Sequence, residues 1–356
     1  MKKYNFYAGP AILPREVIEA AAAAVLDFEG MGLSLIEISH RSKQFVAVMD
    51  EAVALVKELL NIGDEHEVLF LSGGASSQFY LTPMNLLDQD EKAAYVDTGT
   101  WASKAIKDAK LFGNIEVLAS SKDKNYSYIP KTDNIDTSYK YLHITSNNTI
   151  FGTQYQTFPD VAVPIVCDMS SDIFSRPIDI HKFDLIYAGA QKNMGPAGTT
   201  LVIVRKSALS KVSRVLPAMI DMKNHIEAES MYNTPPVFPI YVSMLTLRWI
   251  KNNGGVAGMQ VRNETKAQLL FDEIERNPMF YSPTVAEDRS RMNVCFLLHN
   301  TALENEFIAK AIGAGCVGLE GHRSVGGFRA SIYNAMSAEG VQALVDIMKE
   351  FERTHG

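Results

Sequence analysis

The stretch VLFLSGGASSQ, residues 68–78, joins four apolar residues to a Gly/Ser turn and then to a helix-forming segment. Val68-Leu-Phe-Leu71 has the length of a buried strand, Ser72-Gly73-Gly74 ends it, and the residues from about 76 to 87 read as helix. The same rhythm continues downstream. Ala93-Ala-Tyr-Val96 gives way to Asp97-Thr98-Gly99 and a helix over about 100–112, and further apolar runs stand at 115–118, 141–145, 164–167, 185–188 and 200–204. Short apolar strands alternating with helices predict an α/β fold with a mostly parallel sheet buried on both faces.

Upstream, Pro14 opens a helix to about residue 29 that contains the run Ala20 to Ala24, and Gly30 and Gly32 break it. A second helix, 42–60, places Phe45, Val48, Met49, Ala52, Val53, Val56 and Leu59 at helical spacing. Beyond Thr234-Pro235-Pro236 come helices over 240–252 and, after Gly254-Gly255, to about 275. The order then loosens: a strand at 292–298, a helix at 303–312, a strand at 328–332 and an amphipathic helix at 337–351. The expected organisation is a large domain over 15–255 and a smaller α+β C-terminal domain over 256–356, joined by the N-terminal segment 1–14.

The formal net charge is −7, and no dense Lys/Arg run is present, so a nucleic-acid partner is not expected. Cys167, Cys295 and Cys316 are scattered and form no CxxC pair, which argues against a disulfide framework or a zinc site and for a reducing compartment. The first residues, MKKYNFYAGPAILP, lack the apolar core of a signal peptide. No apolar stretch approaches the ~20 residues of a membrane span. A cytoplasmic protein without a membrane partner or a metal is expected.

Chemistry concentrates at Tyr187-Ala-Gly-Ala-Gln-Lys192-Asn-Met-Gly-Pro-Ala-Gly198, an apolar strand that sheds its bulky side chains and ends at a lysine. Burial disfavours the ammonium and makes the amine nucleophilic, and the small neighbours leave room for a flat ring. Two readings stand: a Schiff-base lysine, or a lysine snorkelling from a strand end. One strand–helix–strand unit upstream, Asp168 closes the run Val166-Cys167. Parallel strand ends open on one edge, where ligands bind. A lysine and a carboxylate there are what pyridoxal 5'-phosphate (PLP) requires, the first for its aldehyde and the second for its pyridine nitrogen. Asp168 also reads as a helix N-cap, because Ser170 and Ser171 follow it.

Ser72 to Gln78 offers backbone N–H groups and hydroxyls at a helix start, a phosphate cradle without the G-x-G-x-x-G or Walker spacing. Trp101 opens a helix and is suited either to stacking on a pyridine ring or to the core. Thr149, after Asn147-Asn148, offers a hydroxyl to a ring oxygen or closes a plain turn. For anions there are two His-Arg pairs, His40-Arg41 and His322-Arg323, and the Gly-flanked Arg329.

Taken together, NFYAGPAILP (5–14), EISHRS (37–42), SGGASSQ (72–78), AQKN (190–193), YNTPP (232–236) and GHRSVGGFRASIYN (321–334) resemble the phosphoserine aminotransferases over nearly the whole chain. The first and last of these runs are the most specific to that family. The resemblance implies a fold-type I PLP enzyme working as a homodimer. Such an enzyme converts 3-phosphohydroxypyruvate and glutamate to phosphoserine and 2-oxoglutarate in serine biosynthesis, and in many bacteria also serves PLP biosynthesis through a phosphorylated hydroxythreonine. It also implies residue roles. Lys192 holds the cofactor and shuttles the proton, Asp168 pairs with the pyridine nitrogen, Trp101 stacks and Thr149 approaches the ring hydroxyl. Ala75, Ser76 and Gln191 hold the cofactor phosphate, with Asn233 and Thr234 completing that site from the other subunit. Arg329 takes the substrate α-carboxylate, while His40, Arg41, His322 and Arg323 bind the distal phosphate or carboxylate, some of them across the dimer. One departure is Ser76, where some members carry an arginine; its absence bears on affinity for the substrate phosphate, not on the class of reaction. A desulfurase on this fold needs a reactive loop cysteine, and neither Cys167 and Cys295, inside apolar runs, nor Cys316 fits that part.

Overall fold

The computed structural model describes residues 2–210 and 212–356. After a short strand β1 (Tyr4–Asn5) come helices α1 (Arg15–Leu26) and α2 (Lys43–Leu59), the second capped by Ser42, whose Oγ accepts from Phe45 N at 3.3 Å. The alternating part follows as β2 (His66–Leu71), α3 (Ala75–Leu86), β3 (Lys92–Asp97), α4 (Thr100–Ala109), β4 (Asn114–Ser120) and β5 (Leu142–Thr145). A small hairpin, β6 (Asn147–Asn148) and β7 (Thr153–Gln154), leads to β8 (Ile165–Asp168), β9 (Phe183–Gly189) and β10 (Thr200–Arg205). Short helices α5 (Lys206–Leu209) and α6 (Met222–Glu227) precede the long α7 (Val237–Asn252) and α8 (Gly255–Arg276). The chain ends with β11 (Phe280–Tyr281), β12 (Asn293–Leu298), α9 (Glu304–Gly313), β13 (Cys316–Val317), β14 (Phe328–Ser331) and α10 (Ala338–His355).

Seven strands form one sheet in the order β2-β10-β9-β8-β5-β3-β4. All its pairings are parallel except those of β10, which runs antiparallel to both β2 and β9. The cause is the short link after β9: a parallel return needs a crossover of a dozen or more residues, usually helical, and residues 190–199 supply only turns. One strand differs from expectation. The 115–118 run lies in β4, an edge strand paired only with β3, and Val117 and Leu118 are 43% and 39% exposed instead of buried.

Because strand side chains alternate, the sheet feeds two cores. Phe70, Val96, Ile144, Cys167, Ile186 and Leu201 pack on one face, with residues of α2 and α7. Leu69, Tyr95, Val166, Tyr187 and Val202 pack on the other, with Phe79 of α3 and Ile106 of α4. A third core gathers α8, α9 and α10 over β11-β12-β14. The N-terminus enters it: β1 pairs in parallel with β13, and Phe6 is fully buried there. Helix α8 spans two cores, with Met259 in the first and Leu270 and Phe271 in the third. No helix among the described residues is long and apolar enough to cross a membrane.

Candidate active site

The site lies at the shared C-terminal edge of β8 and β9. In their parallel register Asp168 stands opposite Tyr187, and alternation along β8 turns Asp168 to the face shared by Val166, α3 and α4. The residue is 5% exposed. Oδ1 accepts from Ser170 N at 2.9 Å and Ser170 Oγ at 2.6 Å, so the carboxylate closes a turn and caps no helix. Gly189 N in turn donates to Ser170 Oγ at 3.2 Å, which ties the two strand ends together. No hydrogen bond reaches Oδ2 among the described residues.

Lys192 follows β9 by three residues, in the turn, and its Nζ donates to Thr149 Oγ1 at 2.9 Å. Nζ also lies 5.6 Å from the centre of the Trp101 ring, in the first turn of α4. The indole Nε1 is buried without a partner. Burial pushes the Lys192 pKa down to about 8, Asp168 opposing and Arg329 assisting. Burial likewise raises the Asp168 carboxyl, while the Ser170 hydrogen bond and Lys192 pull it back.

The lysine shift has a stability consequence with a definite sign. Between about 8 and the ordinary lysine value of 10.5, the unfolded chain holds a proton that the folded chain has lost, so stability rises with pH in that window. Below it the buried ammonium destabilises the fold in full. Lys192→Met is therefore expected to raise the apoprotein Tm most below pH 8 and to leave it unchanged near pH 10.5. Paired thermal melts across that range are the check, and a pH-independent difference would contradict the assignment.

At the start of α3, Gly74 takes a left-handed conformation (φ 71°) and caps the helix without a side chain. The N–H groups of Ala75 and Ser76 have no acceptor among the described residues, and the half-buried Ala75 and exposed Ser76 lie open at the helix end. An unpaired helix N-terminus suits an anion. The Gln191 side chain lies against the end of β9, where a Cβ on Gly189 would come within 2.6 Å of its Oε1. An amine, a buried carboxylate with one free oxygen, an indole and this anion cradle fit PLP.

Positive charge gathers at the opening. The His322 pKa is lowered by burial and by Arg329, Arg323 and Lys104, the last one turn beyond Trp101. Arg329 lies on β14 opposite Cys295, and its Nε is buried without a partner. Within this chain, His40 and Arg41 stand apart, in the turn before α2, with no hydrogen bond or ion pair to Lys192, Arg329 or His322 among the described residues. Asn233 and Thr234 are exposed in the loop before α7 and likewise make none to Lys192 or Ser76.

Several neighbours were not singled out from the sequence. Gly9 (φ 150°) lies against the lysine stem, where a Cβ would be 3.3 Å from Lys192 Cγ, and Ala11 N donates to Gln191 O at 2.9 Å. The N-terminal segment thus covers the lysine. Asn193 Oδ1 accepts from Asn334 N at 2.9 Å. Asp172 is a second buried carboxylate, which accepts from Gln154 Nε2 at 3.1 Å and from Ser146 Oγ. No helix carries both Asp168 and Asp172, so helical spacing gives no signal for it.

The family model of class-V aminotransferases matches residues 3–344. A phosphoserine aminotransferase of Flavobacterium psychrophilum is 60% identical over 353 residues, covering 99% of each chain. A solved phosphoserine aminotransferase structure from Bacillus circulans subsp. alkalophilus superposes with a TM-score of 0.97 at 46% identity, over 100% of this chain and 99% of that one. A PLP-bound one from Trichomonas vaginalis gives 0.93 at 37%, over 98% and 100%.

Proposed function

The chain belongs to the class-V aminotransferases and, among them, to the phosphoserine aminotransferases, and on that premise we propose how its residues divide the work. The enzyme has the fold-type I architecture, uses PLP, and moves the amino group of glutamate to 3-phosphohydroxypyruvate, yielding O-phosphoserine and 2-oxoglutarate in serine biosynthesis. When bound, PLP supplies an aldehyde carbon to carry the nitrogen and a ring to take up electrons as the α-proton leaves.

The carrying observation is the amine of Lys192 and the carboxylate of Asp168, set on adjoining strand ends below Trp101. Lys192 Nζ takes the proton from the substrate α-carbon; with its pKa lowered to about 8, roughly a tenth of the amine is neutral at pH 7, far more than for an ordinary lysine at 10.5. Thr149 Oγ1 would hold Nζ while the amine is free of the cofactor. Asp168 would hold the proton of the pyridine nitrogen, with its Oδ1 pinned by Ser170. Trp101 would cover the ring face, and Ala75, Ser76 and Gln191 would hold the cofactor phosphate. Because the two half-reactions use one site in turn, ping-pong kinetics follow.

Arg329 pairs with the α-carboxylate common to both substrates, and His322 and Arg323 with the group at the far end. Arg329→Leu is expected to raise KM for glutamate and phosphohydroxypyruvate alike, by about 10-fold or more for a lost charged hydrogen bond. An increase for one substrate alone would assign Arg329 to the distal group instead. The enzyme is a cytoplasmic homodimer in this proposal, in which Asn233 and Thr234 of the partner subunit complete the phosphate site and His40 and Arg41 of the partner subunit reach the distal anion. Support comes from exposed apolar side chains, Tyr232 at 44% next to Asn233 and Ile36 at 62% near the His-Arg pair. Sedimentation equilibrium at twice the chain mass is expected.

The test of the function mixes purified protein with phosphoserine and 2-oxoglutarate and assays glutamate, following the visible cofactor spectrum. Stoichiometric glutamate is expected. Its absence, with PLP bound, would contradict the substrate assignment.

A further inference from the structure

Lys266 is 2% exposed, and no other lysine among the described residues is as little exposed. It sits on α8, where the helix passes from the core of the large sheet to the C-terminal core. No carboxylate faces it among the described residues; the one charged group that acts on it is Arg262, one turn back on the same helix. Its Nζ donates to Ile332 O at 2.9 Å and to Tyr333 O at 2.7 Å. An apolar side chain of this length would fill the space without the desolvation cost of an ammonium. It would not hold two carbonyls.

Those carbonyls directly follow β14, the strand that carries Arg329. The segment they belong to is gripped on every side. Tyr333 Oη donates to Ala8 O at 2.7 Å, beside the Gly9 that covers Lys192. Asn263, one turn before Lys266, donates to Asn334 Oδ1 at 2.7 Å and Ser175 O at 3.2 Å. Asn334 N donates to Asn193 Oδ1 at 2.9 Å, and Asn193 Nδ2 donates to Ile173 O at 2.9 Å. Asn193 is bonded to Lys192 itself. The path from one lysine to the other is therefore one peptide segment, 332–334, and one side chain.

We infer that Lys266 is a positioning residue for amino transfer: by holding segment 332–334 it fixes Lys192 through Asn334 and Asn193, and steadies the strand that bears Arg329. This rests on the reading that Lys192 carries the chemistry. Burial and Arg262 push the Lys266 pKa down to about 7, yet a neutral amine keeps two N–H donors, so the clamp does not open when the proton leaves. The charged groups that act on Lys192 itself are Asp168, Asp172 and Arg329.

A double-mutant cycle on the holoenzyme tests the path, using Lys266→Met, Asn193→Ala and their combination. The first readout is the pH midpoint of the visible absorbance of bound PLP; the second is the split between kcat and KM. Each single variant is expected to move the midpoint in the same direction by about 0.5 unit or more, a change of about 0.7 kcal/mol in the balance of protonation states. Each is also expected to lower kcat by about tenfold or more, as misplacement of a reacting group does. The double variant should shift the midpoint no further than the larger single one. A loss of packing alone would lower Tm and leave the midpoint in place. Wild-type midpoint and kcat in Lys266→Met, or additive shifts in the double variant, would overturn the inference. If Lys266→Met does not fold, Lys266→Gln, which keeps one donor, replaces it in the cycle with the same criteria. A wild-type protein with no titrating cofactor band would remove the role of Lys192 and this inference with it, whereas a normal wild-type titration matched by every variant would remove the inference alone.

Discussion

Lys192→Ala is expected to bind PLP and to lose turnover with both amino donors. The amine serves as the base at the α-carbon, and loss of a positioned proton-transfer group alone lowers rates by about 10²–10⁴-fold. Here the loss should exceed that range, because the same side chain also anchors the cofactor. The phosphate cradle at Ala75 and Ser76 and the Trp101 face remain intact in the variant, so the cofactor should be retained, though more weakly. Single-turnover measurement of glutamate formed from phosphoserine and 2-oxoglutarate checks this. Small added amines should restore part of the rate, since the missing function is a proton acceptor in an intact cavity. Activity within tenfold of wild type would exclude Lys192 from the mechanism.

Asp168→Asn is the second large effect. The substitution keeps the shape and the contact with Ser170, and removes the charge that holds a proton on the pyridine nitrogen. Breaking a buried charge pair costs about 3–5 kcal/mol, which as lost transition-state stabilisation is about 10²–10⁴-fold in kcat. KM should change much less, because Arg329 and the His322–Arg323 group still bind the substrate anions. The Lys192 pKa should fall further below about 8, since Asp168 is the largest of the influences that raise it. A variant with normal kcat and an unchanged cofactor titration would show that the ring nitrogen faces something else.

The parts of the fold visible in the sequence were those set by local pattern. Gly- and Ser-bounded apolar runs such as 68–71 become strands because a short run flanked by turns has few other ways to bury itself. Direction and coverage of strands are different, since both depend on neighbours. The turn of β10 against its neighbours follows from the brevity of residues 190–199, and the exposure of Val117 and Leu118 from their place at the sheet edge. The site divides the same way. Asp168 and Lys192 could be paired from the sequence because one ends a strand, the other follows the next strand by three residues, and adjoining parallel strands end together. Ser170 was legible only as an alternative partner for a cap. The role of Gly9 and Ala11 was hidden, because nothing local says that the N-terminal segment folds back across Lys192 and Gln191. Lys266 was hidden more deeply: on a helical wheel it is an ordinary lysine, and only the packing of α8 under segment 332–334 buries it. His40, Arg41, Asn233 and Thr234 are a further case, since a role for them depends on a second chain.

One chemical experiment bears most directly on the claim that Lys192 and Asp168 grip the two ends of one PLP ring. The holoenzyme is reduced with borohydride, digested, and its peptides mapped by mass. The account predicts a single pyridoxyl group, on the peptide containing Lys192, with loss of the visible band in step with labelling. A pyridoxyl group on any other lysine, or none on a protein that contains PLP, would contradict it.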